Sequence, residues 1–194
     1  MANNALNVAV GKPNPNGGIY RAPLGTALPA DEAVVLNAAF KSSGYVSSEG
    51  VTRAISRAFS EFNAWGGDMV KKVQGNKGVT VEFSLIESRN AEVLKSVYGD
   101  SAVTVTAGSP TAGTKVAIAF DGAELPVEEY VFELKEGLGR TRIVCPRAQN
   151  TTEDVSVTYS DEAIIEYAVS LTLFPDASGK YFYEYTDDGV VIPL

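Results

Sequence analysis

Strict alternation of apolar and polar side chains runs through most of this chain, and it limits the possible folds more than any other feature. Val79, Val81, Phe83 and Leu85 fall on one side of an extended backbone, with Thr80, Glu82 and Ser84 on the other. This is the two-residue period of a half-buried strand. The pattern recurs at Val116, Ile118 and Phe120, at Tyr130, Phe132 and Leu134, at Thr141, Ile143 and Cys145, and at Val155, Val157 and Tyr159. Its longest stretch covers residues 164–174, where Ile165, Tyr167, Val169, Leu171 and Leu173 oppose Glu166, Ala168, Ser170 and Thr172. Asp176 to Gly179 then reads as a turn into an aromatic hairpin whose Tyr181, Tyr183 and Tyr185 share a face. Short antiparallel strands separated by turn signals predict a mainly β fold, an antiparallel barrel or sandwich with one or two short helices.

Two helices are predicted. Asp31 and Glu32 suit the N-terminus of one over residues 31–40, by capping and by their favourable interaction with the helix dipole, while Leu36 and Phe40 lie four apart. Asn90 caps a second, in which Ala91, Leu94 and Tyr98 form a stripe and Gly99 is the stop. Residues 51–65 are ambiguous. Val51, Ile55, Ala58, Phe62 and Trp65 fit a helical stripe better than they fit alternation, so periodicity alone assigns helix there. The first thirty residues carry Pro13, Pro15, Gly17, Gly18, Pro23, Gly25 and Pro29, a density that prevents regular structure. The expected division is an extended N-terminal arm over 1–30 and a single β domain over 31–194. The arm is either a disordered terminus or a segment that orders on a partner through Ile19, Tyr20 and Leu24.

The chain has no histidine and one cysteine among its 194 residues. Ser-His-Asp and Cys-His nucleophile pairs, the HExxH zinc helix and imidazole proton shuttles are all excluded. Cys145 lies on the apolar side of a predicted strand, which makes it a small core residue rather than a reactive thiol. The glycine pairs at 17–18 and 66–67, and Gly137 with Gly139, lack the spacing of phosphate-binding loops and read as turns. Acid pairs at Glu128–Glu129, Glu153–Asp154, Asp161–Glu162 and Asp187–Asp188 are adjacent in sequence, so on a strand they point to opposite faces and cannot flank a scissile bond. No catalytic, cofactor-binding or metal-ligating residue is assigned. Trp65, just before Gly66, is either a core plug or an interface anchor.

The formal charge is −8, and 16 of the 24 acidic side chains lie after residue 97. Such an acidic half disfavours binding to nucleic-acid phosphates. No run approaches the ~20 apolar residues of a membrane helix, and the N-terminus lacks the basic and apolar regions of a signal peptide. A soluble, unprocessed chain without membrane insertion is expected.

Several stretches occur together and in order: Ala22 to Asp31, Gly44 to Val51, Ala64 to Asp68, and Phe83 to Glu87 with the helix that ends at Val97-Tyr98-Gly99. Across roughly residues 20–100 they resemble the major tail protein of long, flexible-tailed phages, particularly of actinobacterial hosts. The later residues are similar only in character. The resemblance implies a tail tube subunit forming stacked hexameric rings, whose strands join into an inner barrel. It implies a virion-tail protein assembled in the host cytoplasm with tape-measure protein and tail chaperones, meeting terminator and distal tail proteins. DNA would pass through without specific binding. It also implies residues 51–57 extended, with a helical turn kept near Phe62 to Trp65.

On that analogy the arm residues Ile19, Tyr20, Pro23 and Leu24, with Phe62 and Trp65 of the loop, make ring-stacking contacts. Glu82, Glu129, Glu133 and Glu166, on polar strand faces, are the candidates for an acidic lumen wall that repels phosphate over a Debye length of about 8–10 Å. A period-two pattern does not separate lumen from outer solvent. The alternative is a virion decoration or receptor-binding β-sandwich using the row Tyr181, Tyr183 and Tyr185. An enzyme, with activity lost on an acid-to-amide change, is the third reading.

Overall fold

Most of the alternating segments become strands of one antiparallel sheet. The computed structural model describes residues 8–15 and 17–190. In chain order its elements are β1 (Ile19–Pro23), β2 (Lys41–Ser42), β3 (Val46–Asn63), β4 (Met69–Leu85), α1 (Ala91–Tyr98), β5 (Val103–Thr106), β6 (Lys115–Ile118), β7 (Val127–Glu136), β8 (Gly139–Asn150), β9 (Tyr167–Leu173) and β10 (Tyr183–Asp187). The large sheet runs β2-β1-β7-β8-β9-β4-β3, with β10 also paired to β8, and β5 and β6 form a separate two-stranded sheet. The mainly β expectation holds.

Register puts the apolar residues of neighbouring strands on one face. Val79, Val81, Phe83 and Leu85 of β4 lie opposite Leu173, Leu171, Val169 and Tyr167 of β9. All eight are buried in the principal core, together with Ile19, Tyr130, Phe132, Cys145 and Ala148. Each aliphatic side chain so buried contributes roughly 1.5–3 kcal/mol. The other face of β7 and β8 is covered too. Ala22, Phe40, Val131 and Val144 form a second cluster, against which Tyr20, Leu28 and Leu36 pack. Burial on both faces explains why β7 is covered continuously from Glu128 to Phe132.

α1 forms as its sequence predicts. The Asn90 side chain accepts from the Glu92 N–H at 3.0 Å, and Gly99, at φ 94°, donates its N–H to the Lys95 carbonyl. Val93, Leu94 and Val97 enter the core.

Several expectations need correction. Residues 31–40 contain no helix. The capping signal is locally real, since Asp31 Oδ1 accepts from the N–H groups of Ala33 and Val34. The Arg142 guanidinium, however, takes the carbonyls of Asp31 and Val34, and the segment lies as an irregular cover with Phe40 in the second cluster. Residues 51–57 are extended, as the resemblance implies and against the helical periodicity, and the strand continues to residue 63, pairing along β4 from Val51↔Phe83 to Asn63↔Met69. No helical turn follows, since Ala64 to Gly67 is a hairpin turn with the Gly67 N–H bonded to the Ala64 carbonyl at 3.0 Å. Val155 to Tyr159 is not a strand. The tyrosine segment is not a hairpin with β9. β10 instead pairs with residues 140–144 of β8, while β9 takes residues 148–150. Tyr183 and Tyr185 stack at 6.5 Å over the second cluster, whereas Tyr181 packs on the first.

The proposed arm also divides differently. Residues 1–7 lie outside the described residues, but residues 19–23 are β1, an interior strand between β2 and β7. Ile19 pairs with Phe132 and Pro23 with Glu128, and Ile19 and Ala22 are each only 1% exposed. Deleting residues 1–24 removes this strand and opens both clusters. The truncated chain is expected to lose its cooperative thermal transition in circular dichroism, and retention of a native-like transition would contradict this placement.

Candidate assembly surfaces

The strands β3 and β4 are much longer than the sheet they belong to. β4 pairs with β9 only from Val79 onward, so residues 69–78 pair with β3 alone. At about 3.3 Å per residue this free ribbon extends roughly 30 Å beyond the core. Gly66 and Gly67, at φ 118° and 101°, close its tip where other residues would be strained.

This ribbon carries the core's apolar stripe into solvent. Val51, Ile55 and Phe59 continue the face that bears Val79 and Val81, and all three are exposed. Phe62, Met69, Val70 and Val73 are exposed as well, and Trp65 at the tip is fully so, at 107%. Lys72 crosses the Phe59 ring at 5.4 Å and pairs with Glu61 at 2.7 Å. A two-stranded ribbon in water is marginally stable by itself. Apolar side chains displayed in this way mark an interaction surface.

The opposite face of the sheet has a different chemistry. Thr80, Glu82 and Ser84 of β4 lie beside Thr172, Ser170 and Ala168 of β9, and Thr52 of β3 lies beside Glu82. Small hydroxyl and methyl side chains make this a smooth polar wall. Thr151 and Thr172 share a hydroxyl hydrogen bond of 2.7 Å at its margin. Glu82 is exposed on this wall, and Glu166, exposed one residue before β9, has the same parity as Ala168 and Ser170.

The other two acids do not join them. Glu129 is 4% exposed and accepts from the Gly25 N–H at 2.9 Å; burial raises its carboxyl above the ordinary range, partly opposed by that N–H. Glu133 is clamped by Arg142 Nε at 3.0 Å and by Nη2, and also accepts from Asn14. Both carboxylates anchor the sheet rather than meet solvent, which corrects their placement on a lumen wall. Of the stacking candidates, Ile19 is core, Tyr20 is half-buried against the second cluster, and Pro23 and Leu24 lie exposed at the end of β1. Phe62 and Trp65 stand together at the ribbon tip. Trp65 is therefore no core plug.

Sequence reading missed a buried ionic cluster. Arg21 of β1 donates to Glu128 at 2.8 Å and to Asp100 at 2.9 Å, with Glu92 at 3.6 Å. It ties β1 to β7 and to both ends of α1. Burial pushes Glu128 up despite the attraction of Arg21. Nothing local marks Arg21, which lies in the Pro/Gly-rich first thirty residues, because its partners stand up to 107 positions away.

Nothing in these surfaces assembles a reaction centre. A cavity of about 690 Å³ beside the start of β3 contains one carboxylate, Glu87, which is committed to the Tyr45 N–H and the Asn90 amide. Among the described residues no cluster of His, Cys, Asp and Glu is arranged to hold a metal ion. Cys145 is wholly buried, and that burial pushes its thiol up to about 12.

A family model described as phage tail tube protein matches residues 1–191 of the chain. No curated protein matches it significantly. Among solved structures, the tube-terminating cap of an anti-feeding prophage, determined by cryo-electron microscopy, aligns with a TM-score of 0.44 and 12% identity over 96% of this chain and 100% of that chain. That likeness is too loose to build on.

Two outcomes follow from the geometry. Trp65 is the sole tryptophan, so the unassembled protein is expected to show the red-shifted emission of a hydrated indole, quenched by acrylamide nearly as well as the free amino acid; blue-shifted, protected emission would contradict its exposure. The Cys145 thiol is expected to react with a disulfide reagent at pH 8 only after denaturation. Rapid labelling of the native protein would show that β8 is not packed as described.

Proposed function

The chain belongs to the phage tail tube protein family, whose members are structural and not enzymatic, and from that premise we propose that it is the repeated subunit of the tail conduit. Six copies close into a ring, and rings stack into the tube through which DNA leaves the particle. One observation carries this reading: a ribbon of about 30 Å displays an uncovered apolar stripe and a fully exposed Trp65. A monomeric role gives that stripe no partner, whereas stacking against neighbouring copies covers it.

The polar wall of β4 and β9 then lines the conduit. Its hydroxyl and small side chains offer DNA no cationic footholds, and Glu82 and Glu166 repel phosphates over a Debye length of about 8–10 Å. Glu129 and Glu133 take no part, being spent on internal contacts. Phe62 and Trp65 are the ring-stacking anchors, with Leu24 and Pro23 as secondary contacts. Tape-measure protein and tail chaperones accompany assembly in the host cytoplasm, and terminator and distal tail proteins bound the finished tube.

A receptor-binding sandwich has less support. The tyrosine row that favoured it is divided, because Tyr181 faces the core and the Tyr183 hydroxyl is committed to Asp176 at 2.7 Å.

Purified protein at high concentration, or with a tail-tip initiator, is expected to form tubes visible by negative-stain microscopy. Replacing Phe62 and Trp65 by alanine is expected to abolish them while changing unfolding free energy by no more than about 0.5 kcal/mol for each exposed side chain. Tubes formed equally well by the double variant would refute the stacking role, and a wild-type protein that stays monomeric under all these conditions would refute the subunit role.

A further inference from the structure

Residues 153–166 contain a strand-like pattern at 155–159 and form no strand. Val155, Val157 and Tyr159 alternate as strand residues do, yet the segment has no regular structure and is almost wholly exposed. Val157 and Ile165 tether it to the core. Among the described residues no backbone-to-backbone hydrogen bond joins 153–166 to the rest of the chain. Unstructured stretches of this length are uncommon inside a domain and are usually functional. Their main-chain donors and acceptors need partners whenever they leave water.

The large sheet has a matching vacancy. Among the described residues β3 ends the strand order, so the outer edge of its 18 residues is unpaired there. A long unpaired edge is a template for strand addition. The charges are complementary as well. The segment holds Glu153, Asp154, Asp161, Glu162 and Glu166 and no basic residue, whereas residues 53–77 hold Arg53, Arg57, Lys71, Lys72 and Lys77 against Glu61 and Asp68. Arg53 and Lys72 are engaged within the chain. Among the described residues no ion pair involves Arg57 or Lys71, nor Glu153, Asp154, Asp161 or Glu162.

We propose that residues 153–160 of one copy add as a strand to the free edge of β3 in the next copy, with Glu153 meeting Arg57, which β3 itself carries. The inference rests on the subunit reading above and names the contact by which copies join. Strand addition satisfies the orphan backbone, and Val155 and Tyr159 gain cover from the apolar stripe of the ribbon. Copies join head to tail, since donor segment and acceptor edge are different surfaces, and such contacts close into rings or continue as filaments.

Complementary charge reversal tests it. An Arg57→Glu variant places acid against acid, and a Glu153→Lys variant places base against base. Each alone is expected to need at least about tenfold more protein to assemble than wild type, because juxtaposed like charges are costly. An equimolar mixture is expected to assemble at the wild-type concentration, since copies alternating around the contact restore both pairings. Unimpaired assembly by either variant alone, or a mixture no better than its parts, overturns the proposal and leaves the subunit role standing if wild-type tubes form. As an independent readout that tolerates a poorly folded charge variant, Ser56→Cys with Ser156→Cys in the otherwise wild-type chain is expected to yield a ladder of multimers with a short bis-maleimide. Monomers alone, at concentrations where tubes are present or absent, would overturn the contact.

Discussion

A two-stranded ribbon has two faces and no second layer, so apolar side chains on it can be covered only by another body. The architecture follows from this constraint. Within the domain, β4 finds cover for Val79 to Leu85 because β9 lies beside it and α1 packs against the same core. Beyond Val79 the strand outruns its neighbour, and Ile55, Phe59, Val73 and Trp65 stay in water. At roughly 25 cal/mol per Å² of apolar surface, covering several such side chains on each copy is a substantial drive toward association. The glycine turn closes the tip, and the Lys72–Glu61 pair bridges the two strands near it.

Two buried arginines hold the domain together. Arg21 and Arg142 each bridge elements distant in sequence, one through Glu128 and Asp100 and the other through Glu133 and the carbonyls of residues 31 and 34. Removing one partner from such a buried set leaves an uncompensated charge and is costly. The same ties divide the acids of this strongly negative chain. Glu128, Glu129 and Glu133 serve the interior, and Glu82 and Glu166 remain on the polar wall.

Most strands were legible because a half-buried strand announces itself by its period, as in β4, β7 and β9. α1 was legible from its caps. The misreadings share one cause, which is that local signals compete with contacts made far away. Residues 31–40 carry a sound N-cap, but Arg142 occupies the carbonyls a helix would use. In β3 the spacing of Val51, Ile55, Phe62 and Trp65 imitates a helix because the ribbon exposes apolar groups on both faces, so no single face enforces alternation. The segment Val155 to Tyr159 has strand chemistry without a partner in its own chain. The exposed Trp65 could be named from sequence but not placed, and the engagement of Glu129 and Glu133 depended on a register that a period of two does not supply.

The claim on which all of this turns is that the β3–β4 ribbon is an assembly surface. Hydrogen exchange compared between free protein and assembled tubes, read by peptide mass spectrometry, tests it most directly. Strong new protection across residues 53–73, with little change in β7 and in α1, is the result this account predicts. Unchanged exchange in the ribbon alongside new protection elsewhere would contradict it.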